Sequence, residues 1–213
     1  MVTAARSLAF IDSRVADYQT LIDGLAEGTK WFLLDAGDDG IGQMAKILSG
    51  YSSLDTIHVF SHGSPGALYL GSMVLTNYNL ADYQLQLGAI GNSLTDKGDI
   101  LLYGCEVGAG DTGQQFITQL AQFTGADVAA SDDVSGFGGD WVLETEAGEV
   151  ESPIIDPGSA ITANIQPLEY SNISDADAVR AGAFLARIVY GGDQIAPDYQ
   201  NVFSKFTGAG ANK

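Results

Sequence analysis

The sequence predicts an α/β fold built on a mainly parallel sheet with helices against both faces. Three observations predict it. The strand-like runs are continuously apolar instead of alternating, as in strands buried on both sides. Segments with apolar residues at helical spacing separate those runs. Polar residues and glycines follow each run at once, at the carboxyl ends where open parallel sheets bind ligands.

Taken in order, "LAFID" (Leu8 to Asp12) reads as a short buried strand. A first helix follows, with Val15, Tyr18, Leu21, Ile22 and Leu25 at helical spacing, closed by Gly28. "KWFLLDA" is a second strand, and "DDGIGQMAKILSGY" a second helix that sets Ile41, Met44, Ile47 and Leu48 on one face before Gly50. "TIHVFSH" is a third strand, "GALYLGSMVLT" a small hairpin and "ADYQLQLGAIGNSL" a third helix. "GDILLYGC" is a fourth strand, and "TGQQFITQLAQFTG" a fourth helix with Phe116, Ile117, Leu120 and Phe123 inward. "ADVAAS" is a fifth strand, and "DWVLET" is expected to form an edge hairpin with a partner near "GEVES".

The α/β unit is expected to close at residue 151. The stretch from Glu151 to Tyr170 holds three of the chain's five prolines, so residues 152–170 read as a linker. Residues 171–213 read as a helical extension, "SDADAVRAGAFLARIVYGG" with Ser174 as N-cap, followed by a tail.

Composition narrows the function. The chain has 213 residues, 46% of them hydrophobic, enough for a real core, and a formal net charge of −18. An acidic surface repels phosphates, which argues against nucleic acid and against anionic membrane surfaces as partners. A single cysteine excludes an internal disulfide framework and a cysteine-rich metal site. The apolar run near the start, Leu8 to Ile11, is too short for a signal peptide, and no stretch nears the ~18 apolar residues of a membrane span.

The chemistry gathers at two strand ends. His62 and Gly63 end the third strand, and Gly104 and Cys105 end the fourth. The residues between can hold a hairpin and one crossover helix, so the two strands can be neighbours. A cysteine nucleophile needs a base beside it, and the amides of Gly63 and Cys105 are candidates for an oxyanion hole. Each residue alone has a plainer reading. A lone cysteine ending an apolar strand is usually a small buried hydrophobe, and a lone histidine there is usually structural. The pair on glycine-flanked strand ends is less ordinary. His58 is expected to face a sheet surface and receives no role.

"HVFSHGSPG" followed by "DILLYGCEVG" resembles the His-Gly and Cys signatures of the caspase-like peptidases of clan CD. The ordered series "FIDSRVADYQTL", "LDAGDDGIGQM", "HVFSHGSPGALYLG", "GDILLYGCEVGAG", "GADVAASDD" and "GGDWVLE" is similar to a bacterial domain of unknown function, DUF 4347, grouped with that clan, from about Leu8 to Glu151. The resemblance implies a three-layer α/β/α caspase-like fold. It implies Cys105 as nucleophile, His62 as acid and base, and the Gly63 and Cys105 amides around the oxyanion. The reaction would be peptide-bond hydrolysis through a thioester, with no cofactor and no metal. It implies a protein or peptide partner, including the parent chain, and a place in large secreted or cell-surface bacterial proteins. Caspases and metacaspases carry a polar or acidic residue two before the cysteine. Here it is Tyr103, so the preference for the residue before the cut does not transfer. Arg14 could hold an acidic side chain there, and Asp132 and Asp133 a basic one; they could equally pair with each other.

Other readings fit less well. "YGCEV" lacks the glycines of a nucleophile elbow, and both histidines precede it. "DAGDDG" is not an EF-hand loop, since the twelfth position from Asp35 is Lys46. "GAGDTGQQ" has no P-loop lysine. Two functions are therefore carried forward: a caspase-like cysteine endopeptidase that can process its own parent chain, and a catalytically inactive module of the same fold in an adhesin-like protein.

Overall fold

A computed structural model describes residues 6–16, 18–136 and 139–155. Its elements are β1 (Ser7–Asp12), α1 (Tyr18–Gly24), β2 (Lys30–Leu34), α2 (Gly40–Leu48), β3 (Leu54–Phe60), β4 (His62–Ser64), β5 (Ala67–Leu70), β6 (Met73–Thr76), a 3-10 turn (Leu80–Tyr83), α3 (Gln84–Gly91), β7 (Leu94–Tyr103), α4 (Gly110–Thr124), β8 (Asp127–Ala130) and β9 (Thr145–Ala147). Six strands form one sheet in the order β2-β1-β3-β7-β8-β9, parallel except for β9. The strands β4, β5 and β6 make a small antiparallel sheet of their own.

Alternation along the strands divides the core in two. Leu8, Phe10, Ile57, Val59, Ile100 and Leu102 face α2, α3 and α4, and the small sheet packs into the same cluster. Ala9, Ile11, Phe60, Leu101, Tyr103 and Ala129 face the other way, toward Leu21 of α1 and the irregular stretch carrying Trp141, Leu143 and Ile155. This is a three-layer α/β/α arrangement with a mainly parallel sheet in the middle, as expected.

Local chemistry sets the element ends. The Asp39 carboxylate accepts from the Ile41 N–H and caps α2. Gly125 ends α4 in the left-handed region, at φ 73°. Strand order reverses at β1: the chain steps outward to β2, then crosses back to β3 on the other side. The crevice between the carboxyl ends of β1 and β3 is the topological switch point, where doubly wound sheets place ligands.

Several expectations change in detail. Val15 precedes α1 and is buried, so the first helix starts later than its apolar spacing suggested. The fourth strand begins at Leu94, four residues before Gly98. "DWVLET" forms no hairpin with "GEVES": Trp141 and Leu143 insert into the second core, and Thr145–Ala147 pairs with β8. Ser152 and Ile155, expected in a linker, are tied to the domain. The Glu151 and Ser152 N–H groups donate to the buried Asp99 carboxylate at 3.2 and 2.8 Å, and the Ile155 N–H to the Tyr103 hydroxyl at 2.8 Å. The helical extension of residues 171–213, and the linker beyond Ile155, lie outside the described residues.

His58 does not lie on an open sheet face. It is buried between Tyr103 and Ser7, with Nδ1 3.3 Å from the Tyr103 hydroxyl and Nε2 3.0 Å from Ser7 Oγ. Burial lowers its pKa to about 4, so the ring serves these contacts neutral. A histidine with a lowered folded pKa contributes stability that is complete above the unfolded value near 6.5 and is lost as pH falls toward 4. The loss approaches ~3 kcal/mol. Denaturant midpoints of wild type and His58→Gln should therefore converge as pH drops from 7 to 4.5; a constant gap would refute a neutral, buried His58. Tyr103→Phe leaves the Ile155 N–H unpaired and should cost about 1–3 kcal/mol at pH 7 in the same measurement.

Candidate active site

The register between β3 and β7 pairs Phe60 with Tyr103, and the Ser61 N–H donates to the Tyr103 carbonyl at 3.3 Å. Two residues further, each strand reaches one of the candidate residues: His62 on one, Cys105 on the other. His62 opens β4 and pairs with Tyr69 in the small sheet, while alternation from Tyr103 carries Cys105 to the second face of the main sheet. Cys105 packs in that cluster. His62 meets the β1 end, with Nε2 3.3 Å from the Arg14 carbonyl oxygen.

Glycines make this approach possible. A Cβ on Gly63 would lie 2.8 Å from the Cys105 carbonyl oxygen, and closer still to Val107 Cγ2. One on Gly104 would lie 3.0 Å from the Ser61 carbonyl oxygen. The strand ends therefore touch backbone to backbone. After Cys105 the chain turns sharply through Glu106, a non-glycine residue at φ 60°, before α4 begins. Such strained positions gather at functional sites.

The base of the site is built on Asp12. Its carboxylate is fully buried and accepts from the Arg14 N–H, Nε and Nη2 at 2.9, 2.8 and 2.9 Å, and from the Gly71 N–H at 2.6 Å. This cage folds the β1–α1 loop so that the Arg14 carbonyl points to His62. A carbonyl only accepts, so the contact requires the proton on Nε2 and leaves Nδ1 as the basic nitrogen.

The other candidates fall differently. Arg14 spends its guanidinium on Asp12. Tyr103 is 0% exposed, stacked on Phe60 with centroids 4.5 Å apart, and burial raises its pKa. It offers no surface to a substrate. Asp132 and Asp133 are exposed beside the site, and the Asp133 carbonyl accepts from the Glu106 N–H at 2.7 Å. Their carboxylates gather with that of Glu144 within 4.8 Å. Desolvation, then Asp140 and Asp132, raise the Asp133 pKa. Three oxygen donors this close suit a hard cation in principle, though exposed acidic groups often cluster without one.

Cys105 is 0% exposed, the burial that its plainer reading expects, and His62 is 2% exposed. The Ser135 backbone, which was not foreseen here, lies against the sulfur: its N–H lies 3.2 Å from Sγ, and Sγ lies 3.5 Å from its carbonyl oxygen. Nothing in "SDDVSG" marked that contact.

The glycine contact is open to test. Gly63→Ala should wedge the strand ends apart and cost about 1–3 kcal/mol in denaturant unfolding. The double variant Gly63→Ala with Val107→Ala, which removes the nearest obstacle, should cost less than the sum of the two single losses. Strict additivity of the two changes would show that they do not share this contact.

No curated protein matches the chain. A solved structure described as the crystal structure of a small-chain dehydrogenase is similar at 10% identity, over 56% of this chain and 77% of that one, with a TM-score of 0.31. A family model described as "Domain of unknown function (DUF4347)" matches residues 8–164. That match spans the sheet, both strand-end motifs and the stretch from Trp141 to Ile155, and the chain belongs to the DUF4347 family.

Proposed function

We propose that this chain is a cysteine endopeptidase in which Cys105 is the nucleophile and His62 the general acid and base. The observation that carries the reading is the meeting of the two strand ends. β3 and β7 run in register to Phe60 and Tyr103, and glycines let the segments bearing His62 and Cys105 touch beside the switch point. The resemblance of the two motifs to caspase-like peptidases points the same way.

In this mechanism His62 Nδ1 takes the Cys105 thiol proton. The thiolate attacks the carbonyl carbon of the substrate peptide, and the oxyanion is held by the amides of Gly63 and Cys105. The imidazolium returns its proton to the leaving amine as the C–N bond breaks, giving a thioester and a new N-terminus. Water, deprotonated by His62, then releases the acid and the thiol. Asp12 acts through the Arg14 carbonyl to keep the proton on Nε2. The substrate would be a protein segment in extended form, including the parent chain of a secreted or cell-surface protein. A cut within the chain would fall beyond Ile155, since Ser152 and Ile155 are held by Asp99 and Tyr103.

One observation favours a second reading, an inactive module of the same fold: both dyad residues are buried. Peptide libraries and the intact chain, incubated under reducing conditions with and without calcium and sequenced for new N-termini, separate the two. Wild type should cut; Cys105→Ala should keep its fold within about 1–2 kcal/mol and cut nothing. His62→Ala should lose at least about a hundredfold in rate. Cleavage retained by Cys105→Ala would move the chemistry elsewhere, and a wild type inert under every condition would leave the module.

A further inference from the structure

The strap Ser131–Gly136 seats the Ser135 backbone against the Cys105 sulfur. Besides the two contacts of Ser135 with Sγ, it is fastened to the turn after Cys105 at two points. The Glu106 N–H donates to the Asp133 carbonyl at 2.7 Å, and the Gly108 N–H to the Ser131 carbonyl at 2.8 Å. A reacting carbonyl carbon must come within about 3–3.5 Å of the sulfur, and Ser135 occupies that shell.

The closure also works against itself. The Ser135 hydroxyl is buried and has no hydrogen-bond partner among the described residues. The Asp132, Asp133 and Glu144 carboxylates are brought together at the outer side of the strap, with Asp140 near enough to raise the Asp133 pKa. The buried polar atom without a partner destabilises the closed form, and the approach of Glu144 to Asp132 and Asp133 adds like-charge repulsion against the one tie it makes there, the Asp132 N–H donating to its carboxylate at 3.0 Å; the balance favours withdrawal.

We infer that Ser131–Gly136 is an autoinhibitory strap: closed, it seats the Ser135 backbone on the Cys105 sulfur, and open, it admits the substrate carbonyl. The inference rests on the peptidase reading above. The strap moves as a local unit, and the core beneath it stays folded. The acidic knot sets the balance, so neutral replacements hold the strap shut and loss of the Ser135 N–H releases it.

The chain's single cysteine makes the test direct. Reaction of the full chain with dithiobis(nitrobenzoate) is followed at increasing sub-denaturing urea, beside global unfolding by circular dichroism. Local opening predicts exchange with little urea dependence, faster than global unfolding allows. Asp132→Asn with Asp133→Asn should slow it about threefold, and Ser135→Pro should speed it about tenfold. If Ser135→Pro does not fold, the asparagine pair still decides the sign. Exchange that follows global unfolding in every variant would overturn the strap, even if wild type hydrolyses peptides. Local exchange, with peptide hydrolysis rising in Ser135→Pro, supports both strap and peptidase. Local exchange with no hydrolysis by any variant overturns the peptidase reading and, with it, the inhibitory role of the strap.

Discussion

Everything distinctive about this domain depends on the parallel pairing of β3 with β7. Those two strands fix where His62 and Cys105 can be, because each residue lies two positions beyond the last ladder pair. A parallel ladder buried on both faces resists register slip, since a one-residue shift would turn each strand's apolar set to the wrong core. Side chains at the strand ends would hold the two turns apart. Glycine at 63 and 104 removes that obstacle, and the backbones close on each other.

The second face of the sheet shows how a few buried side chains tie distant segments together. Tyr103 stacks on Phe60, approaches His58 and receives the Ile155 N–H, so one side chain joins two central strands and the last described stretch of chain. The Asp12 cage does similar work at the other side of the switch point, where a fully buried carboxylate is satisfied by four N–H donors. A buried charge left without partners would cost far more than these contacts contribute. The cage therefore restricts both the β1–α1 loop and the histidine that leans on it.

Much of this was legible in the sequence, and the misses have physical causes. The apolar runs and helical spacings gave the sheet and its helices because burial on both faces leaves continuous hydrophobic strands. That the strands ending in His62-Gly63 and Gly104-Cys105 could be neighbours was legible because the chain between them has room for a hairpin and one crossover helix, and the two strands do pair. Trp141, Val142 and Leu143 misled: they alternate buried, exposed, buried, so they show the period of a strand without ladder partners of their own. Period two reports which side chains are inside, not which backbones are paired. Arg14 read as a ligand-binding cation because pairing with a residue two positions away leaves no distinct pattern. The Ser135 contact with Cys105 was invisible because Ser-Asp-Asp-Val-Ser is ordinary loop composition, and the contact spans thirty residues of sequence.

The stretch from Trp141 to Ile155 starts and ends on the second core, with β9 at the sheet edge between, and its two ends close over Phe60 and Tyr103. It is also the last part of the described unit to leave the ribosome. Until it arrives, the aromatic face of β3 and β7 is covered only in part, by α1 and the residues before it, and the earlier strands can pair but cannot be sealed. Completion of the domain is thus a late, long-range event in synthesis. A nascent chain paused near residue 140 would present an exposed aromatic surface to the cell's chaperones.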